Sequence, residues 1–129
     1  MSIAGPWRER GEQPGSDALS TTVVTKLRAI QDGGLRAADI ARLLGTRPET
    51  VSRWNSGRNR PRGARLHRLL ELEFIVMRLT ALDPPEALRL WLFSRHQALD
   101  GRRPADLIEE GRIDAVLRAI DQRADGASP

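Results

Sequence analysis

From Ser20 to Gln122 the large apolar residues recur at steps of three and four, and glycine or proline closes nearly every run. That spacing gives one-sided helices and leaves no stretch with the period-two alternation of a half-buried strand. Val23, Val24, Leu27 and Ile30 share one face of a helix that Gly33-Gly34 ends, and Ile40, Leu43 and Leu44 mark a short helix from about Arg36 that Gly45 stops. Val51 and Trp54 are the inward residues of a third helix, over about 47–56, which closes at Ser56-Gly57. Its start reads as a capping box, Thr46 as N-cap and Glu49 three residues on, with Pro48 in the first turn where a missing N–H costs nothing.

After the loop Arg58–Gly63 comes a long helix, about 64–82. Its Leu66, Leu69, Leu70, Leu72, Phe74, Ile75, Met77, Leu79 and Leu82 cover more than one stripe, so it is expected to face two partners at once. Asp83-Pro84-Pro85 breaks it and starts a helix to about Phe93 carrying Leu88, Trp91 and Leu92; Asp100-Gly101 makes a turn, Pro104 opens a short helix closed by Gly111, and Ile113, Val116, Leu117 and Ile120 define a last helix to about Gln122. The expected fold class is all-α: an N-terminal helix-turn-helix bundle over 19–82 and a small C-terminal helical module with its tail over 83–129. Residues 1–18, with three glycines, two prolines and no apolar periodicity, read as a disordered extension in which Trp7 is either a surface ring or a docking anchor.

Charge is distributed as unevenly as the helices are regular. The chain of 129 residues has a net charge of +4, and Lys26 is its only lysine among 21 basic residues. Residues 36–68 hold nine arginines against Asp39 and Glu49, while residues 69–129 are net acidic. Arginine at that density points to a polyanion contact. The absence of cysteine removes disulfides, thiolate metal sites and thiol nucleophiles, and two histidines, His67 and His96, do not make a metal site by themselves. No apolar run approaches the roughly 20 residues of a membrane helix, so the expectation is a cytoplasmic protein without metal, cofactor or membrane. Ser94-Arg95-His96 with Asp100 has the residue types of a hydrolase set, but they crowd one loop without an oxyanion site and read as coincidence.

Two helices joined by a glycine turn inside the basic block suggest a helix-turn-helix: Ala41 is the small residue of the first helix, Gly45 the turn glycine four residues on, and Ile40, Leu44, Val51 and Trp54 lock the pair. With Val51 and Trp54 inward, Arg47, Glu49, Ser52, Arg53 and Ser56 point away and Thr50 lies on the flank, so these are the side chains able to reach base edges in a major groove. Arg53 is the candidate for a bidentate guanine contact. Glu49 suits a cytosine amine or its cap equally, and Arg58, Arg60 and Arg62 suit phosphates. The stretch Thr50-Val51-Ser52-Arg53-Trp54-Asn55-Ser56-Gly57-Arg58, followed by Pro61, resembles the recognition helix of the phage-repressor/Xre type. One small reading head binds weakly, so a homodimer on double-stranded operator DNA is expected.

The segment Leu90-Trp91-Leu92, Leu99-Asp100-Gly101-Arg102-Arg103-Pro104-Ala105-Asp106-Leu107-Ile108, Gly111, Val116, Ile120 resembles the toxin-binding domain of the Xre/MbcA/ParS antitoxin family. With the upstream reading head the resemblance spans about residues 19–126. It implies a type II antitoxin that blocks a RES-domain, NAD-consuming toxin within a hetero-oligomer and represses its own operon, and it implies no enzymatic activity. Toxin contacts are then expected from Trp91, Arg102, Arg103, Asp106, Asp121, Arg123 and Gly126 with the tail, while Pro104 and Leu107 serve the fold itself. The competing reading is a dimeric helix-turn-helix repressor without a toxin partner, with residues 83–122 as a dimerisation layer.

Overall fold

The computed structural model describes the backbone of residues 4–126 and side chains from residue 18 onward. Among the described residues seven helices follow in chain order: α1 Ala4–Asp32, α2 Ala37–Leu44, α3 Pro48–Asn55, α4 Gly63–Thr80, α5 Pro85–Leu92, α6 Pro104–Glu109 and α7 Ile113–Gly126, with a 3-10 turn at Gln97–Leu99 between α5 and α6. Among the described residues there is no strand, only an isolated bridge between His96 and Arg102. The all-α expectation holds.

Helix ends follow local chemistry. Gly45 takes left-handed backbone (φ 68°), which lets its N–H reach Arg42 O and the Thr46 N–H reach Ala41 O, closing α2 with a Schellman pair and turning the chain straight into α3. The predicted cap of α3 is corrected: its N-cap is Arg47, not Thr46, with no side-chain bond. Pro48 at the first helical position forces the residue before it into extended backbone (Arg47 φ −106°, ψ 153°), so the start shifts by one. The backbone is helical from Ala4, upstream of Ser20 where the apolar pattern sets in, and this differs from the disordered extension expected over 1–18; Pro6 falls in the first turn, where its missing N–H is free. The Trp7 side chain lies outside the described residues, as do residues 127–129 of the tail.

One buried cluster runs through the molecule, from Val23, Leu27 and Ile30 of α1 through Ile40 and Leu44 of α2, Val51 and Trp54 of α3 and Leu69 to Leu79 of α4, to Leu88, Leu92, Ile108, Val116 and Ile120. The core is therefore continuous across the turn at Asp83. Helix α2 is packed on both sides, against α3 and α4 within the basic segment and against α6 of the C-terminal segment. Helix α4 buries Leu69, Leu72, Ile75, Val76 and Leu79; its second stripe, Leu70, Phe74 and Met77, is exposed.

Candidate functional site

Val51 and Trp54 are buried, and around them α3 presents Arg47, Glu49, Ser52, Arg53 and Ser56 to solvent with Thr50 half-buried on the flank. The arginines of the basic block divide by what they touch. Arg42 reaches Glu109 of α6 (Nε to Oε2 3.1 Å), Arg65 donates to the Gly45 carbonyl at the end of α2 (2.9 Å), and Arg68 donates to the Glu109 carbonyl (3.3 Å). These three hold the framework. Arg47, Arg53, Arg58 and Arg62 are exposed and have no acceptor among the described residues. Arg60, the third residue expected to suit phosphates, is half-buried, with one guanidinium nitrogen enclosed and unpaired among the described residues. The Ser56 hydroxyl is engaged with the Arg53 carbonyl at 3.0 Å. What remains is one acid, Glu49, among four unpaired arginines on a short helix and the loop after it, an arrangement able to hold a polyanion.

The other surface is built on α5 to α7. His96 N–H donates to Arg102 O (3.1 Å) and Gly101 N–H to His96 O (2.9 Å), and Asp100 holds left-handed backbone (φ 57°), so the Asp-Gly turn folds back tightly. Pro104 opens α6 with Asp106 in its first turn, where a carboxylate suits the helix dipole. Trp91 is half-buried. Its ring lies 4.9 Å from that of His96, its carbonyl meets His96 Nε2 at 2.7 Å, and the Arg123 guanidinium sits 5.8 Å above it. Arg123 also grips Asp83 with two bonds, one of 2.6 Å. Together Trp91, His96, Gln97, Ala98, Gln122 and Arg123 line a cleft of about 410 Å³.

The candidates of this module are only partly brought together. Trp91 and Arg123 share that cleft, and Arg102 lines its smaller neighbour on the far side of Ala98 and Ala119. Asp106 lies 3.9 Å from Arg42 of α2, on the side where the two segments meet. Arg102 pairs with Glu110, whose carboxyl this hydrogen bond holds below its ordinary range, and Asp121 pairs with Arg78 of α4. Arg103 is the half-buried N-cap of α6, and Gly126 is exposed at the end of α7. Ser94 and His96 do not meet as nucleophile and base: the hydroxyl donates to the Leu90 carbonyl at 2.6 Å, and His96 is held by Trp91. No group of three metal-ligating side chains occurs among the described residues, and no helix there is long and apolar enough to cross a membrane.

A set of positioning residues had no sequence-level signal beyond an acid in a first turn. Asp39, at the start of α2, accepts from the Arg36 N–H (2.9 Å) and from Arg89 of α5 through two bonds. The Arg42 and Arg89 guanidiniums each lie over the Phe93 ring, 5.4 Å from its centre. The basic segment and the C-terminal segment are thus joined by charge as well as by core.

Comparison with known proteins gives both segments relatives. The family model of the antitoxin Xre/MbcA/ParS C-terminal toxin-binding domain matches residues 79–126. The chain is similar to the mycobacterial cidal antitoxin MbcA of Mycobacterium tuberculosis and of Mycobacterium bovis, at 32% identity over 112 residues that cover 87% of this chain and 96% of the relative. A further M. tuberculosis protein, named as a probable mycobacterial cidal antitoxin, is 31% identical over 99 residues, 77% of this chain and 84% of its own. Among solved structures, the crystal structure of the M. tuberculosis MbcT-MbcA toxin-antitoxin complex superposes with a TM-score of 0.72 at 30% identity, covering 82% of this chain and 96% of that one.

Proposed function

The chain belongs to the Xre/MbcA/ParS antitoxin family, and from that membership we propose that it is the cytoplasmic antitoxin of a type II toxin–antitoxin pair: it blocks a RES-domain, NAD-consuming toxin through α5 to α7 and binds operator DNA through α3 as a homodimer. The observation that carries the reading is that the similarity runs over 96% of MbcA, a protein solved in complex with a toxin, and that the family model of the toxin-binding domain spans the whole α5–α7 module.

The chemistry supports a division of labour. Four unpaired arginines around α3 suit a duplex, Arg47 and Arg53 at base edges and Arg58 and Arg62 on phosphates. The C-terminal module offers a different surface: a cleft with an aromatic floor at Trp91, a cation at Arg123 already oriented by Asp83, and the end of α7 beside it. Aromatic and arginine side chains held in place before association lose little freedom on docking a protein partner. The chain acts here by occupying the toxin, with no chemistry of its own.

Co-expression with the open reading frame next to this gene tests the proposal. A stable complex and an NAD pool preserved against that toxin are expected, and Trp91→Ala should weaken both. A partner that neither co-purifies nor loses toxicity would overturn the toxin half of the reading.

A further inference from the structure

Three guanidiniums meet in a cleft that no acidic side chain lines. Leu44 and Gly45 at the end of α2, with Arg62, Ala64, Arg65 and Arg68 at the start of α4, enclose about 380 Å³. Arg65 donates to the carbonyls of Leu44 (3.4 Å) and Gly45 (2.9 Å), and Arg68 donates to that of Glu109 (3.3 Å). The Glu109 carboxylate itself is turned to Arg42, at 3.1 Å. A carbonyl orients a guanidinium but cancels none of its charge, and arginine stays protonated in proteins. Arg62 is exposed, with no acceptor among the described residues. The cleft therefore carries three positive charges, two of them already aimed by the fold, and Arg65 and Arg68 each keep N–H donors to spare.

Such a cleft fits an oxyanion, because the guanidinium fork matches phosphate and carboxylate alike. Charge and position select between the two. One carboxylate would leave two of the three cations unmatched, whereas a nucleic-acid strand brings a negative phosphate about every 3.4 Å. The cleft is also continuous with the candidate nucleic-acid interface: Arg62, one of its walls, ends the series of unpaired arginines Arg47, Arg53 and Arg58 on α3 and the loop after it. We propose that the Arg62–Arg65–Arg68 cleft is a phosphodiester site that takes the duplex backbone beyond the reach of α3, so that Arg65 and Arg68 serve the duplex as well as the framework. The site adds affinity without reading sequence. It rests on the DNA binding in the proposed function and supplies two contacts that the α3 surface does not contain.

The experiment is fluorescence anisotropy of the full chain on a specific and a scrambled duplex over a series of chloride concentrations. It compares wild type, Arg65→Gln, Arg68→Gln, the charge-keeping Arg65→Lys and Arg68→Lys, and Arg53→Ala, with circular dichroism confirming the fold of each. The control is Arg95→Gln, at an exposed arginine of the C-terminal module that likewise bonds only a carbonyl, that of Gly101. Each Gln variant is expected to weaken both duplexes on the order of 10-fold at about 0.1 M salt and to lower the slope of log K against log salt by roughly 0.9, one phosphate contact. The Lys variants keep the slope, and Arg95→Gln matches wild type. A role in the framework alone would leave the slope unchanged in every variant. An unchanged slope in both Gln variants, or one lowered as much by the Lys variants or by Arg95→Gln, would overturn the proposal; a loss confined to the specific duplex in Arg53→Ala would then leave the DNA reading standing. A wild type with no affinity for either duplex would overturn both. Gln variants that lose the toxin and keep the duplex would overturn it as well and give the cleft to an acidic segment of the toxin.

Discussion

Asp39 of α2 and Arg89 of α5 form a two-pronged ion pair, Arg89 Nε to Oδ2 at 2.9 Å and Nη2 to Oδ1 at 3.1 Å, with the Asp39 side chain only 10% exposed. The same carboxylate accepts the Arg36 N–H at the start of α2, so one side chain both caps the first helix of the helix-turn-helix and fastens it to the C-terminal module. Burial pushes the Asp39 carboxyl up, but the Arg89 hydrogen bond, the Arg36 N–H and the two positive charges outweigh it, and the net shift is downward.

A carboxyl with a lowered native pKa contributes stability that is fully present above its unfolded value of about 3.9 and is lost as pH falls through the lower native value. Asp39→Asn keeps the shape and removes the charge. It should cost about 1–3 kcal/mol at neutral pH, half-exposed Arg89 moderating the loss, and it should flatten the acid limb of stability against pH. Urea unfolding at pH 7 and at pH 3 measures both; an unchanged acid limb would mean that the pair adds no net stability.

Much of the fold is legible in the sequence because it is local. Val51 and Trp54 point inward from their spacing alone, and Pro104 announces α6. The site is legible only to the level of helix faces. Arg42, Arg65 and Arg68 look no different in sequence from Arg47, Arg53 and Arg62, yet the first three are tied to Glu109 and to backbone carbonyls brought near by tertiary packing. Asp39 and Arg89 are separated by 50 positions, and no periodicity links them. The α3 cap falls on Arg47 and not Thr46 for a local reason, because the constraint of Pro48 on the residue before it outweighs the preference of threonine for the cap. The expectation that α4 faces two partners captures its two stripes, and the chain itself fills one of them.

Two glycines separate backbone preference from crowding. Gly45 has φ 68° with open space around any added Cβ, whereas Gly34 has φ 125° and a Cβ there would lie 2.4 Å from the Pro85 carbonyl oxygen. Gly45→Ala should therefore cost about 1 kcal/mol, the left-handed penalty alone, and Gly34→Ala about 3 kcal/mol or more, because α5 must also move. Equilibrium denaturation of both variants gives the comparison, and equal losses would show that the contact between Gly34 and Pro85 gives way easily.

In the proposed function DNA and toxin occupy separate surfaces of one chain. Fluorescence anisotropy on a duplex from upstream of this gene tests it, using wild type and the Arg47→Ala/Arg53→Ala double variant, each alone and in complex with the toxin. The expected result is a loss on the order of 10- to 100-fold for the specific duplex, a smaller loss on a scrambled duplex, and toxin affinity unchanged. Equal losses on both duplexes would reduce the two arginines to phosphate ligands. A double variant that binds the specific duplex as tightly as wild type, or that also loses the toxin, would rule out two separate surfaces.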